Sequence, residues 1–537
     1  MILPNVKQYE QIDGICPVPE TVTYSAVGEL AAIGAEAFSV FAVDAIRTSE
    51  DAFLEFVFDG SLEDRDEIYS IRITADRIRV SFRDRRGAVN GAASIALLLK
   101  KRELKQGLVI DYPDCAYRSF LIDLARGLPD IEDVKRTVVY MALAKYNRLH
   151  LHLIDSKGPC FYSDALPEYR FVGNGAQYDK QVIRDLVEFC RSFAIEIVPE
   201  IEVPAHATEF LKVYPQFICQ VENANTWVMC TGNDELWPML SKLVGEVVEL
   251  FPDSTYVHVG ADELEFSDLE GASKRLCHWT ECPRCAALRR REGLADRQAQ
   301  FYYVMERMHE IVTAHGRKMI MWNDQVDVSK PVPISRDILM QFWRIAYPGR
   351  GPVEGCSMEK LLGMGFRAIN SVYQDTYIDI DHYASAEKLK TWVPYHTPER
   401  ALVDRGSIVG GEMCAWEFGN IAVYPFYGYV TPPALAIFGD KLWNVGEREY
   451  TADYLAALCE FVFGASCEND IFACFGSPIP PRKKDQVTYL SPSEISADRI
   501  FACIEELSQK KRGFYTAVID EYIRLLKIIA EDQGGLR

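Results

Sequence analysis

Two hydrophobic rhythms divide the chain. Up to about residue 115, short runs alternate apolar and polar positions with period two: Ala52-Phe53-Leu54-Glu55-Phe56-Val57-Phe58, Ile68-Tyr69-Ser70-Ile71-Arg72-Ile73 and Ile78-Arg79-Val80-Ser81-Phe82. That alternation predicts half-buried strands, and their close succession predicts a meander. The small-residue stretch from Gly87 to Lys100 has helical spacing and is expected to lie on the sheet, so residues 1–115 read as an α+β domain.

From residue 118 the rhythm changes to strand, helix, strand, helix. Apolar runs predict strands at 120–123, 149–155, 196–200, 256–260, 318–322, 338–342, 367–370 and 408–413, with helices near 132–145, capped by Asp130, and near 179–193, 235–250 and 297–315. Such alternation predicts a (β/α)8 TIM barrel over 116–450. The remainder, 451–537, reads as a helical C-terminal region interrupted by Ser477-Pro478-Ile479-Pro480-Pro481.

Barrel enzymes carry their chemistry where strands exit the sheet at their C-terminal ends. Tyr256-Val257-His258-Val259-Gly260-Ala261 runs straight into Asp262 and Glu263, with Gly260 and Ala261 leaving room for a ligand. An isolated Asp-Glu pair is more often a solvated loop or a helix start, so the other strand ends decide the reading. They supply Asp123, Arg126, Asp155, Glu200, Glu202, His206, Trp322, Asp324, Trp343, Tyr377, Asp379, Trp416 and Glu417. Carboxylates mixed with indole and phenol rings suit a sugar, whose C–H faces stack on aromatics and whose hydroxyls take charged partners. No repeated His/Asp spacing suggests a metal in this pocket, and no cofactor is implied.

These motifs, in order, resemble the glycoside hydrolase family 20 β-N-acetylhexosaminidases. The resemblance rests on Arg118-Ser119-Phe120-Leu121-Ile122-Asp123-Leu124-Ala125-Arg126, Asn147 to Asp155, Val198-Pro199-Glu200-Ile201-Glu202-Val203-Pro204-Ala205-His206 and His258 to Glu263. Met319 to Trp322, Gln341 to Arg344, Thr376 to Asp379 and Gly410 to Trp416 complete the circuit, and residues 15–112 resemble the family's small N-terminal domain. The resemblance implies an exo-acting, retaining enzyme that releases terminal GlcNAc or GalNAc, the substrate's own 2-acetamido oxygen serving as nucleophile. It implies Glu263 as general acid and base, Asp262 and Tyr377 as holders of the acetamido group, and Trp322, Trp343 and Trp416 as walls of its pocket. Arg126, Asp379 and Glu417 would meet outer hydroxyls, and Asp155 with His206 would orient the acidic pair. Two departures stand out: Phe418 occupies the place where the family commonly has Glu, and Ser156-Lys157-Gly158-Pro159-Cys160 replaces the usual second-strand continuation. Alternatives left open are a non-catalytic sugar-binding protein of this fold and a hydrolase for a modified, for example 6-sulfated, hexosamine.

Charge and cysteine usage narrow the setting. A net charge of −20 without an extended basic cluster argues against nucleic acid as partner, and no apolar run is long enough for a membrane span. Polar residues directly after Met1-Ile2-Leu3-Pro4, and 15 cysteines without framework spacing, point to the cytoplasm. Cys277, Cys282 and Cys285 lie close enough for a structural zinc site, although free loop thiols explain the spacing equally well. His150, His152 and His258 alternate with apolar residues and read as core groups; Trp279 and Trp443 read as packing, and Asp123 as an anchor for Arg126.

Overall fold

The computed structural model describes residues 5–446, apart from 43–44, 50, 127, 130, 172–176, 265–275, 345–356, 379–388, 390, 399–400 and 417–423; residue 505 is also described, and only the backbone at 133 and 424–433. Asp130, Asp379, Glu417 and nearly all of the region 451–537, with its proline-rich segment, lie outside the described residues.

Seven strands form the N-terminal sheet: β1 (Gln8–Pro17), β2 (Thr23–Ala26), β3 (Ile46–Arg47), β4 (Leu54–Phe58), β5 (Tyr69–Ile73), β6 (Ile78–Phe82) and β7 (Glu103–Asp111). The order is β1-β7-β5-β6-β4-β2-β3. This corrects the expected meander, because β4 runs parallel to β6 and does not pair with β5. The tight turn at 74–77, closed by Thr74 N–H donating to Arg77 O at 3.0 Å, forces β5 and β6 together, whereas the longer link 59–68 carries the chain past β6. Helices Glu29–Phe41 and Arg85–Leu98 pack on this sheet and on each other. The small residues of the second helix permit that approach: a Cβ at Gly91 would lie 2.6 Å from Val80 Cγ1.

The barrel strands are β8 (Tyr117–Asp123), β9 (Arg148–His152), β12 (Glu196–Glu200), β13 (Tyr256–His258), β14 (Lys318–Trp322), β15 (Leu339–Phe342), β16 (Ala368–Asn370) and β18 (Ile408–Ala415). Neighbours pair in parallel around the ring, and β16 with β18 and β18 with β8 close it. Short pieces β10 (Ile154–Asp155), β11 (Gly158–Pro159) and β17 (Tyr377–Ile378) lie at or beyond the strand ends. Burial on both faces explains why these strands read as nearly continuous apolar runs. Helices Lys180–Ser192 and Arg297–Ala314 begin where Asp179 and Asp296 accept backbone N–H bonds, from Gln181 at 2.7 Å and Ala299 at 2.8 Å.

Three layers fill the barrel. Tyr117, Val198, Ile320, Leu339 and Ile369 make an apolar floor, and Leu121, Trp322, Tyr377, Cys414 and Trp416 form a cluster on the C-terminal side. Between them His150, Glu200, His258, Gln341 and Glu412 are fully buried and joined by hydrogen bonds and ion pairs. His150, His152 and His258 are fully buried, as expected of core groups.

Buried charges fasten the N-terminal sheet to the barrel. Lys145 Nζ donates to Asp111 Oδ2 at 2.9 Å and to Tyr69 OH at 2.8 Å, and lies 4.3 Å from the Trp443 ring centroid. Arg118 pairs with Glu67, which also accepts from Asn147 Nδ2 at 2.8 Å. Lys145→Met would leave Asp111 buried without its cation, so urea unfolding should show a loss of about 3–5 kcal/mol. Adding Asp111→Asn should restore part of that loss, and an unchanged unfolding midpoint in the single variant would contradict the assignment.

Candidate active site

The strand ends converge as the sequence predicts. β13 delivers Asp262 and Glu263, β12 leads to Glu202 and His206, and β8 leads to Asp123 and Arg126. The backbone at this mouth is held in the left-handed region, with φ of 54° at His206, 80° at Ala261 and 52° at Glu263. Each such non-glycine residue costs on the order of 1–3 kcal/mol and persists only where surroundings impose it.

Those surroundings form a chain of charges. Asp123 Oδ1 accepts from the Ala125 and Arg126 N–H groups at 3.0 Å each, and its Oδ2 lies 3.2 Å from Arg126 Nη1. Arg126 Nη2 reaches Asp155 Oδ2 at 2.7 Å, and that oxygen also lies 3.0 Å from His206 Nδ1 and 3.1 Å from His152 Nε2. On its other side His206 Nε2 is 3.6 Å from Asp262 Oδ2 and 3.5 Å from Glu263 Oε2. Burial works against ionisation of both Asp155 and His206, but their mutual attraction prevails. Arg126 and His206 hold the Asp155 carboxyl well below its usual range, while Asp155 first and Asp262 second hold the His206 imidazolium well above its own.

Glu263 is fixed at its main chain. Its N–H donates to Asp324 Oδ2 at 3.1 Å and its carbonyl accepts from Trp227 Nε1 at 2.8 Å. Arg344 bridges the same group from the side, with Nη1 3.8 Å from Glu263 Oε1 and Nη2 3.2 Å from Asp324 Oδ2. Trp227 stands 4.3 Å from the His206 ring. Its place in an irregular loop gave no periodic signal, whereas Arg344 and Glu202 sat inside the quoted strand motifs without an assigned role.

Gly260 corrects one expectation. Its missing side chain does not leave space for a ligand, because a Cβ there would fall 2.0 Å from Glu202 Oε2. Burial first, and the adjacent Asp262 second, push Glu202 well above the ordinary carboxyl range, so it keeps a proton where a surface glutamate has lost its own.

Four aromatic side chains enclose the other side of the mouth. Trp343 and Tyr377 stack at 6.0 Å with rings 4° apart, Trp322 stands 6.4 Å from Trp343, and Trp416 lies 5.9 Å from both Trp322 and Tyr377. Trp322 Nε1 donates to Glu200 Oε1 at 2.7 Å and Trp343 Nε1 to Asp324 Oδ1 at 3.1 Å, which ties the box to the barrel core and to the acidic pair. The Arg126 guanidinium sits 5.0 Å from the Trp416 ring. Asp262 Oδ1 is buried with no hydrogen-bond partner among the described residues. The mouth therefore combines a carboxyl group, a second carboxylate with an open acceptor and an aromatic enclosure.

The cysteine candidates are only partly brought together. Cys282 and Cys285 converge with Cys219 and Cys230, and Cys277 is not one of that group.

The profile of the "Glycosyl hydrolase family 20, catalytic domain" matches residues 115–416. A beta-hexosaminidase of Porphyromonas gingivalis is 26% identical over 437 residues, covering 74% of this chain and 54% of that protein. The mouse beta-hexosaminidase subunit beta is 23% identical over 404 residues, covering 71% and 69%. Like the Porphyromonas protein, relatives from Akkermansia muciniphila and Vibrio furnissii are covered to 55% and 56%, so the chain spans about half the length of these curated relatives. Among solved structures, the GH20 exo beta-N-acetylglucosaminidase of Vibrio harveyi in complex with N-acetylglucosamine superposes with a TM-score of 0.70 at 21% identity, covering 86% of this chain and 77% of that one. The beta-N-acetylhexosaminidase of Bacteroides fragilis does so with a TM-score of 0.70 at 20%, covering 85% and 93%. These likenesses agree with the barrel and its N-terminal sheet, and since the family profile covers more than half of the sequence, the chain belongs to glycosyl hydrolase family 20.

Proposed function

We propose that this chain is an exo-acting, retaining β-N-acetylhexosaminidase that removes terminal GlcNAc or GalNAc from a glycan or glycoconjugate. The observation that carries this reading is the open, buried acceptor Asp262 Oδ1 at a mouth that also presents Glu263 and the aromatic box. A buried carboxylate oxygen without a donor is costly, and an acetamido N–H would satisfy it.

In the proposed cycle Glu263 gives its proton to the glycosidic oxygen as the bond to C1 breaks. The substrate's acetamido oxygen forms the new bond to C1, giving an oxazolinium whose positive charge Asp262 stabilises. Glu263 then takes a proton from water as that water opens the ring, so two inversions at C1 leave the configuration retained. Trp322, Trp343 and Trp416 exclude competing water from the acetamido group, and Tyr377 donates to its oxygen. By the resemblance, Arg126, Asp379 and Glu417 are assigned to outer hydroxyls. A cytoplasmic setting is supported by the ten described cysteines, all of them buried. No helix among the described residues is long and apolar enough to cross a membrane.

Rates on p-nitrophenyl β-GlcNAc and β-GalNAc against p-nitrophenyl β-glucoside test the internal nucleophile. The glucoside lacks it and should not turn over; comparable rates on all three would refute the mechanism. Glu263→Gln should lower kcat about 10²–10⁴-fold on a natural disaccharide and less on activated aryl glycosides. Asp262→Asn should weaken a thiazoline analogue of the cyclic intermediate far more than it raises KM, and equal affinity in both proteins would remove Asp262 from the cycle.

The Asp155–His206 pair predicts a pH signature. Asp155 is depressed, so its stabilisation is present above the unfolded value of about 4 and disappears as pH falls through its folded value. His206 is raised, so its stabilisation is complete below about 6.5 and disappears as pH rises through its folded value. The destabilisation caused by Asp155→Asn should therefore be largest between about pH 4 and 6.5 and shrink above that window. Urea midpoints across the range check this, and a penalty growing with alkalinity would contradict it.

A further inference from the structure

We propose that Cys219, Cys230, Cys282 and Cys285 hold one Zn2+ in a tetrahedral thiolate site that staples the loop carrying Trp227 to the helix Pro283–Glu292. Their four Sγ atoms lie within 4.8 Å of one another, and all four residues are buried. Cys230 Sγ is 3.6 Å from Cys282 Sγ and 3.7 Å from Cys285 Sγ. A zinc ion bonded to sulfur at about 2.3 Å spaces its ligands about 3.8 Å apart along the edges of a tetrahedron. A disulfide needs sulfurs about 2.0 Å apart, and all four thiols are free.

The backbone around the cluster also suits bound thiolates. The Gln220 N–H points at Cys282 Sγ at 3.3 Å. Cys282 is the N-cap of the helix Pro283–Glu292 and Cys285 lies in its first turn, where unpaired N–H groups and the helix dipole favour negative charge. The loop approaches this helix closely: a Cβ at Gly232 would fall 2.4 Å from the Arg284 carbonyl carbon. Packing of small apolar side chains would not require four sulfurs from distant segments to meet at one point. The other metal-like groupings among the described residues, His150 with Glu200 and His258, His152 with Glu200 and Glu202, and His206 with Asp262 and Glu263, already set ring nitrogens against carboxylates.

The site would act on the active centre through position. Between Cys219 and Cys230 runs Trp227, whose indole bonds the Glu263 carbonyl and stands against His206. Trp279 Nε1 donates to Met229 O at 2.8 Å, so the two stapled segments also interlock next to the cluster. Trp227 is a positioning residue, and the metal would hold its loop. Because binding converts thiols to thiolates, it releases protons and adds directly to folding stability.

Metal analysis of the purified full-length chain should find one zinc per chain, and Cys277→Ser should retain it, whereas Cys219→Ser should lose it or hold it weakly. Protein stripped with an organomercurial and chelator, then reduced and refilled with Co2+, should show the sulfur-to-cobalt charge-transfer and d–d bands of a four-thiolate tetrahedral site. The stripped protein should melt lower, and a substrate assay should recover on adding Zn2+ alone. Zinc well below one per chain together with no such cobalt spectrum would overturn the proposal, as would mass spectrometry finding these cysteines paired as disulfides in freshly purified protein. None of these three overturning readouts depends on hydrolysis, so failure here is distinguishable from failure of the proposed reaction.

Discussion

One buried carboxylate organises the barrel interior. Glu200 is fully buried, yet His258 Nδ1 lies 2.9 Å and Trp322 Nε1 2.7 Å from one oxygen, and His152 Nδ1 2.5 Å and His150 Nε2 3.4 Å from the other. Burial opposes its charge, but the three histidines overcome that and hold it well below the usual range. Two of them answer in kind: burial lowers their basicity, but the carboxylates around them raise His150 to about 10 and His152 to about 9. An isolated charge could not survive at this depth, so the ring of partners must fold together or not at all.

The consequence is geometric. Through Trp322 the carboxylate sets the orientation of one wall of the aromatic box, and through His152 it is joined to Asp155, Arg126 and His206. Asp324 plays the corresponding part on the far side, accepting from the Glu263 N–H and the Trp343 indole. Burial raises the Asp324 pKa, with Arg344 acting against it, so the cation matters to the order of that corner. The groups proposed to react thus sit on strand ends braced from the barrel core, the arrangement that keeps a site tight enough for chemistry.

Legibility followed from how each feature is encoded. Barrel strands buried on both faces leave continuous apolar runs, and the end of such a run marks where Asp262, Glu263, Arg126 and His206 emerge. Pairing order in the N-terminal sheet depends on link length and turn geometry, which alternation does not record, so the parallel contact of β4 with β6 was not foreseen. Gly260 was misread because the atom that claims its space, Glu202 Oε2, comes from another strand end. Trp227, Cys219 and Cys230 lie in irregular chain whose course is set by tertiary contacts, and spacing alone could not join Cys230 to Cys282 across 52 positions.

The two main-chain bonds of Glu263 bear on how one side chain could serve both of the purposes proposed for it. Asp324 holds its amide and Trp227 its carbonyl, while its carboxyl meets His206 and Arg344 only at 3.5 Å and 3.8 Å. The root of the side chain is pinned and the tip is lightly tethered. In the proposed cycle such a pivot would let the carboxyl turn from a departing oxygen toward an arriving water through its own torsions, with no displacement of the peptide that carries it.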